Sequence, residues 1–172
     1  MRKAAADDLL RWALEEVPWR REELRIHGRD VQVPRLVAWF GEPGHTYRYS
    51  GLCHTASHWP DVLTTLRERL AETLQCRPNF VLLNRYRSGD DHMGWHTDDE
   101  PEMAGRFASI SLGAKRRFLA RGCGRPSLRF DLHHGSLLVM GGATPHSLPK
   151  ASSAGERVNL TFRFLRDTGC RS

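Results

Sequence analysis

A chain of 172 residues with 40% hydrophobic and 27% charged side chains is long enough to bury a core and has the ordinary balance of a soluble globular domain. No apolar run approaches the roughly 20 residues of a membrane helix, and the N-terminus lacks an apolar secretory segment, so a cytoplasmic protein is expected. Against 20 Asp and Glu stand 26 Lys and Arg, and the net charge of +6 permits a polyanionic partner without demanding one.

In chain order, residues 5–16 place Leu9, Leu10, Ala13, Leu14 and Val17 at helical spacing, and Pro18 ends the run. A basic cluster follows (Arg20, Arg21, Arg25, Arg29), then short segments broken by Gly28, Pro34, Gly41, Pro43, Gly44 and Gly51. Thr46-Tyr47-Arg48-Tyr49-Ser50 alternates like a strand or ribbon. Residues 60–74 predict a second amphipathic helix, with Pro60 at its first turn and Val62, Leu63, Leu66, Leu70 and Leu74 on one stripe. Beyond Asn79 the pattern turns to strands at 80–85, 107–112, 117–120, 128–132, 136–140 and 157–164, bounded by Gly, Pro, Ser or Asp. The expected fold is mainly β with flanking helices (α+β), a sandwich or jelly roll in one domain over residues 1–172. Cys53, Cys76, Cys123 and Cys170 are scattered without a Cys-x-x-Cys pair, which fits a reducing compartment better than a disulfide framework. A second basic cluster spans Lys115, Arg116, Arg117, Arg121, Arg125 and Arg129.

The chemistry concentrates in His96-Thr97-Asp98, a lone His146, and Arg157-Val158-Asn159-Leu160-Thr161-Phe162-Arg163. Two imidazoles and one carboxylate are the donors that hold non-haem Fe(II) on one triangular face and leave open positions. His96 and Asp98, one residue apart at a strand end, face the same way and can chelate one ion. The turn Gly141-Gly142-Ala143-Thr144-Pro145 can bring His146 over the same point. On spacing alone His92, His133 and His134 remain alternative ligands. In the last strand Arg157, Asn159, Thr161 and Arg163 share one face, and Val158, Leu160, Phe162 and Phe164 the other. The apolar face must pack on the core, so the polar one meets solvent or a cavity, where its arginines offer an anion site.

Six segments together resemble the AlkB family of Fe(II)/2-oxoglutarate dioxygenases over about residues 30–165. They are Asn84-Arg85-Tyr86, His96-Thr97-Asp98-Asp99-Glu100, Ser109-Ile110-Ser111-Leu112-Gly113, His134-Gly135-Ser136-Leu137-Leu138, His146-Ser147-Leu148-Pro149, and the run 157–163. Upstream, Thr46-Tyr47-Arg48-Tyr49-Ser50-Gly51-Leu52 is similar to the substrate-lid ribbon of the family's DNA-repair members. The resemblance implies a double-stranded β-helix (jelly roll) over about 79–165, with helices and a nucleotide-recognition lid over about 1–75. It implies Fe(II) on His96, Asp98 and His146, with O2 as oxidant. It also implies 2-oxoglutarate on Arg157, with Asn84, Tyr86, Asn159, Thr161 and Arg163 as further contacts.

The substrates so implied are N-alkylated bases such as 1-methyladenine and 3-methylcytosine in DNA, with RNA as a second candidate, handled by a monomer without a membrane role. Tyr49 and the ring of His96 would sandwich an extruded base, with Tyr47, Ser50 and Arg35 near it. Asp99 and Glu100 would set negative charge beside the cationic lesion, and His27 would stand at the tip of a duplex-wedging hairpin. Trp95 is expected to pack near the metal. The alternatives are an oxygenase of the same chemistry acting on protein, lipid or small molecules, and a catalytically silent nucleic-acid-binding module.

Overall fold

The structure, a computed structural model, describes residues 1–172 apart from 27–28, 43–45, 50–51, 56–57, 102, 123, 125 and 167–172; for 24–26, 29–31, 46–49, 52–55 and 104 it describes the backbone alone. In chain order the elements are α1 (Lys3–Glu16), β1 (Arg20–Ile26), β2 (Arg29–Gly41), β3 (Thr46–Tyr49), β4 (Leu52–Thr55), α2 (Asp61–Leu74), β5 (Phe80–Tyr86), β6 (Met93–His96), β7 (Met103–Gly113), β8 (Arg116–Arg121), β9 (Ser127–Leu132), β10 (Leu137–Gly141), β11 (His146–Leu148) and β12 (Arg157–Leu165). The strands form a six-stranded sheet in the order β1-β2-β5-β12-β7-β10, a four-stranded sheet β6-β11-β8-β9, and the ribbon β3-β4. Every pairing is antiparallel. Two such sheets enclosing one cavity give the jelly-roll architecture expected.

Strand alternation sorts the large sheet into a wet and a dry face. On β12, Val158, Leu160 and Phe162 are fully buried and join Val81 and Leu83 of β5 and Ala108, Ile110 and Leu112 of β7 in one apolar cluster. The two helices close that cluster from behind. Ala6, Leu9, Ala13 and Val17 form the buried stripe of α1, and Leu63, Leu70 and Leu74 that of α2. Phe162 also stacks on Trp59, ring centroids 6.2 Å apart at 14°. Its removal would cost about 3–5 kcal/mol in lost transfer energy and a cavity.

Three departures from the sequence reading have local causes. β2 runs unbroken through Pro34, which carries no backbone N–H, and its pairing with β1 is interrupted where Glu22 faces 33–35. On α2 the residue Val62 is 43% exposed, while Arg67 takes a buried place on the stripe. The Arg67 guanidinium lies 4.6 Å from the Trp59 ring and donates to the Pro78 carbonyl at 2.6 Å, so its charge is solvated by protein. Pro60 stands just before α2, where its extended φ and ψ lead into the helix.

Candidate active site

β6 ends at His96 and β11 begins at His146, and the two residues face each other directly across the antiparallel ladder. Their rings lie 4.1 Å apart, tilted by 55°. Asp98 follows two residues beyond β6, and its backbone N–H donates to the Gly142 carbonyl at 2.9 Å. A Cβ on Gly142 would strike the Asp98 carbonyl oxygen, so this position needs glycine for close approach. The two imidazole Nε2 atoms stand 3.7 and 3.9 Å from the Asp98 carboxylate oxygens, too far to hydrogen-bond, yet all three donor atoms lie within 4.8 Å of one another.

Tautomers follow from the outer ring nitrogens. His96 Nδ1 meets the Gly94 carbonyl at 2.9 Å and His146 Nδ1 the Thr144 carbonyl at 2.8 Å. A carbonyl only accepts, so Nδ1 carries the proton and Nε2 keeps its lone pair turned to the common point. Burial lowers the His146 pKa, assisted by His96 and Arg163, which favours the neutral ligating form. Phe118 packs on the His146 ring at 5.4 Å and Phe107 at 5.9 Å, which dries that side.

The cavity between the sheets has a volume of about 570 Å³, including its mouth. Its floor is the polar face of β12 with its neighbours on β5 and β7. Arg157 Nη2 donates to Ser111 Oγ at 2.9 Å, and the guanidinium lies 5.3 Å from the Tyr86 ring. Asn159 donates to Ser109 Oγ and accepts from Asn84 Nδ2 and Thr161 Oγ1, each at 3.1 Å. Arg35 Nε donates to Asn84 Oδ1 at 2.7 Å, so β2, β5, β12 and β7 share one buried hydrogen-bond chain. Arg163 Nη2 donates to Asp98 Oδ2 at 2.6 Å and ties the floor to the carboxylate.

Of the residues singled out from sequence, His96, Asp98, His146, Asn84, Tyr86, Arg157, Asn159, Thr161, Arg163 and Arg35 all line this cavity. Two of them also hold protein partners: Arg163 pairs with Asp98, and Arg35 is buried against Asn84. Asp99 is exposed and accepts from Thr97 Oγ1 at 2.7 Å, and Glu100 is half-buried. The alternative ligands lie elsewhere: His92 against the Asp90 carbonyl, His134 accepting from the Gly113 N–H at 2.9 Å, and His133 exposed. Trp95 points away from the metal face, 42% exposed. Tyr47 and Tyr49 fall on β3, opposite His54 and Leu52, with their side chains outside the described residues; Ser50 and His27 lie outside them altogether.

Ser109, Ser111, Phe118 and Arg116 were given no role from sequence. The alternation Ser109-Ile110-Ser111 already puts both hydroxyls on the Arg157 side of β7. Arg116 is 1% exposed and donates to the carbonyls of Ser88, Asp91 and Pro149 at 3.2, 3.0 and 2.7 Å. It clamps two loops, and no sequence period marks such a partner set.

The donor set suits Fe(II), with two neutral nitrogens and one carboxylate oxygen on one side of a cavity and open space on the other. The floor suits a dicarboxylate. Burial pulls the Arg157 pKa down to about 10, so it stays charged at neutral pH; its Nε has no hydrogen-bond partner, and among the described residues no carboxylate pairs with it. A charge so buried needs a counter-anion.

Comparison with known proteins agrees with this geometry. The 2OG-Fe(II) oxygenase superfamily model matches residues 1–163. The DNA oxidative demethylase ALKBH2 of Mus musculus is 40% identical, covering 96% of this chain and 77% of its own length. The alpha-ketoglutarate-dependent dioxygenase alkB homolog 3 of Homo sapiens is 38% identical, covering 93% of this chain and 62% of itself. Among solved structures, a 2OG-Fe(II) oxygenase family oxidoreductase from Burkholderia pseudomallei superposes with a TM-score of 0.63 over 95% of this chain and 82% of its own, at 18% identity, a likeness of fold.

Proposed function

The chain belongs to the 2OG-Fe(II) oxygenase superfamily, and from that premise we propose that it repairs alkylated DNA by oxidative removal of N-methyl groups from bases. The observation that carries the reading is the joint presence, in one cavity, of the His96, Asp98 and His146 cluster and the buried Arg157, which has no counter-anion among the described residues. The extension to DNA rests on the relatives named demethylases and on a basic chain.

Bound Fe(II) and 2-oxoglutarate supply the oxidising power: O2 is consumed, 2-oxoglutarate yields succinate and CO2, and one oxygen atom enters a methyl C–H bond. His96 and His146 would bind through Nε2, each held in that tautomer by a backbone carbonyl. Asp98 would supply the third donor, with its second oxygen held by Arg163. Arg157, with Ser111 behind it, would take the far carboxylate of the co-substrate on its planar fork. The Asn84, Asn159 and Thr161 chain orients polar groups beside it. Phe107, Phe118 and Leu148 keep the centre dry. Once hydroxylated, the N–CH2OH group gives its hydroxyl proton to water, the N–C bond breaks with its electron pair passing to the ring nitrogen, and formaldehyde and the neutral base are released. A monomer in the reducing cytoplasm completes the proposal.

The test is incubation of oligonucleotides bearing 1-methyladenine or 3-methylcytosine with Fe(II), ascorbate, 2-oxoglutarate and air. Restored base with equimolar formaldehyde supports the reading. Succinate formed without base repair on any methylated nucleic acid would overturn it in favour of another substrate class.

A further inference from the structure

The outer face of the four-stranded sheet carries an arrangement that the metal site does not use. Alternation sends Trp95 to the face opposite His96, its neighbour on the same strand. There the Arg121 guanidinium lies 4.1 Å from the indole centroid. Arg121 in turn donates through Nε to Ser127 Oγ at 3.3 Å across the β8–β9 ladder. Arg117 pairs with Asp131 in the same ladder, at 3.9 Å, and Lys115 reaches that carboxylate at 3.4 Å. Arg129, opposite Leu119, stands between them and is exposed. Of the four exposed cations, Lys115 and Arg117 are paired with Asp131, whereas Arg121 lies on a tryptophan that is 42% exposed and Arg129 stands beside it on the ladder. The adjacent Arg116 is turned inward and adds nothing to this face.

Burial does not explain this tryptophan, since its ring lies at the surface under an arginine. β6 is the edge strand of its sheet and carries Trp95 next to His96, so the outer face begins one residue from a candidate metal ligand. We infer that the outer face of β6, β8 and β9 is a docking track for the substrate strand next to the extruded base: Trp95 stacks a neighbouring nucleobase, and Arg121 and Arg129 bind the following phosphates. A nucleic-acid strand is the occupant that fits both halves of the face, since phosphates match the excess cations and every base offers a π-face. The stack of Arg121 on the indole holds both side chains in place before binding. The inference rests on the DNA reading above and concerns how the strand is held, not which atom reacts.

The experiment measures binding of an unmethylated single-stranded DNA oligonucleotide to the full chain by fluorescence anisotropy across a salt series, with base repair followed in parallel. The Arg121→Gln, Arg129→Gln double variant should weaken binding about tenfold at low salt and flatten the log–log salt slope by roughly 1.4, two single-strand phosphate contacts. Trp95→Ala should weaken binding about five- to tenfold, while Trp95→Phe stays within about twofold of the parent. Trp95→Phe should also lose the DNA-induced quenching of tryptophan emission, a readout that needs no destabilising variant. The affinity for 2-oxoglutarate should be unchanged throughout. Parental affinity and salt slope in the double variant, or full quenching in Trp95→Phe, would overturn the docking track even while repair continues. Absence of repair with these binding effects intact would instead overturn the demethylase reading and leave the track standing.

Discussion

Asp98 is held by two contacts that reach it from distant parts of the chain, the Gly142 carbonyl on its backbone N–H and the Arg163 guanidinium on Oδ2. Both members of the Asp98–Arg163 pair are about 4% exposed, so neither charge has water as a substitute partner. Replacing Arg163 with Met should lower divalent metal affinity about 10- to 100-fold, because the ligand loses the group that orients it. Titration with Mn(II) under anaerobic conditions measures this, and parental affinity would show that the pair is idle. Arg157 sets a pH limit. Burial lowers its pKa from the usual guanidinium range to about 10, while a bound carboxylate favours the charged form. Affinity for 2-oxoglutarate should then be flat from about pH 7 to 9 and fall roughly tenfold per unit above about pH 10. The sign for folding is opposite: above about pH 10 the unfolded chain, in which this arginine keeps its higher pKa, binds more protons at this residue, so its contribution to stability rises with pH. Calorimetric titration across that range checks the binding curve.

At the level of single elements, β12 separates stability from activity by face. Phe162→Ala should cost about 3–5 kcal/mol in unfolding free energy. Asn159→Ala, on the other face, should raise the KM for 2-oxoglutarate with a smaller loss of stability, about 1–3 kcal/mol for the partners left unpaired. Urea unfolding and steady-state kinetics on both variants distinguish the two. Gly142→Ala in the β10–β11 turn should impair metal binding more than folding, since its Cβ displaces the Asp98 backbone. The two faces of β12 were legible from alternation alone, and so were both helices, because a period survives in every residue of such elements. Of the metal trio, His96 and Asp98 were legible as a closely spaced donor pair, whereas His146 was set apart from the other histidines by the family resemblance and not by spacing. β6 and β11 were not: four and three residues are too few to show a period, and His96 and His146 meet only through tertiary pairing. β2 was hidden by Pro34, read as a breaker where the strand accommodates it at a lapse in pairing. The Arg163–Asp98 contact spans 65 residues, and nothing local in either segment announces it.

Across the whole molecule the large sheet divides the work. Its outer face and the helices α1 and α2 form the apolar core, and its inner face meets the small sheet around the cavity. The charge bias divides likewise, with Arg157, Arg163, Arg35 and Arg116 buried around the site and Arg117, Arg121 and Arg129 outside. An interior so rich in arginine implies that ligands complete it, and the free protein should gain stability when metal and dicarboxylate bind together. The most direct measurement is anaerobic calorimetric titration of 2-oxoglutarate into the parent chain, with and without Fe(II), and into Asp98→Ala. The expected result is one site per chain that appears with Fe(II), weakens at least about tenfold without it, and is equally weak in Asp98→Ala at any iron concentration. Equal affinity with and without iron, or full affinity in Asp98→Ala, would contradict a ferrous centre built from His96, Asp98 and His146.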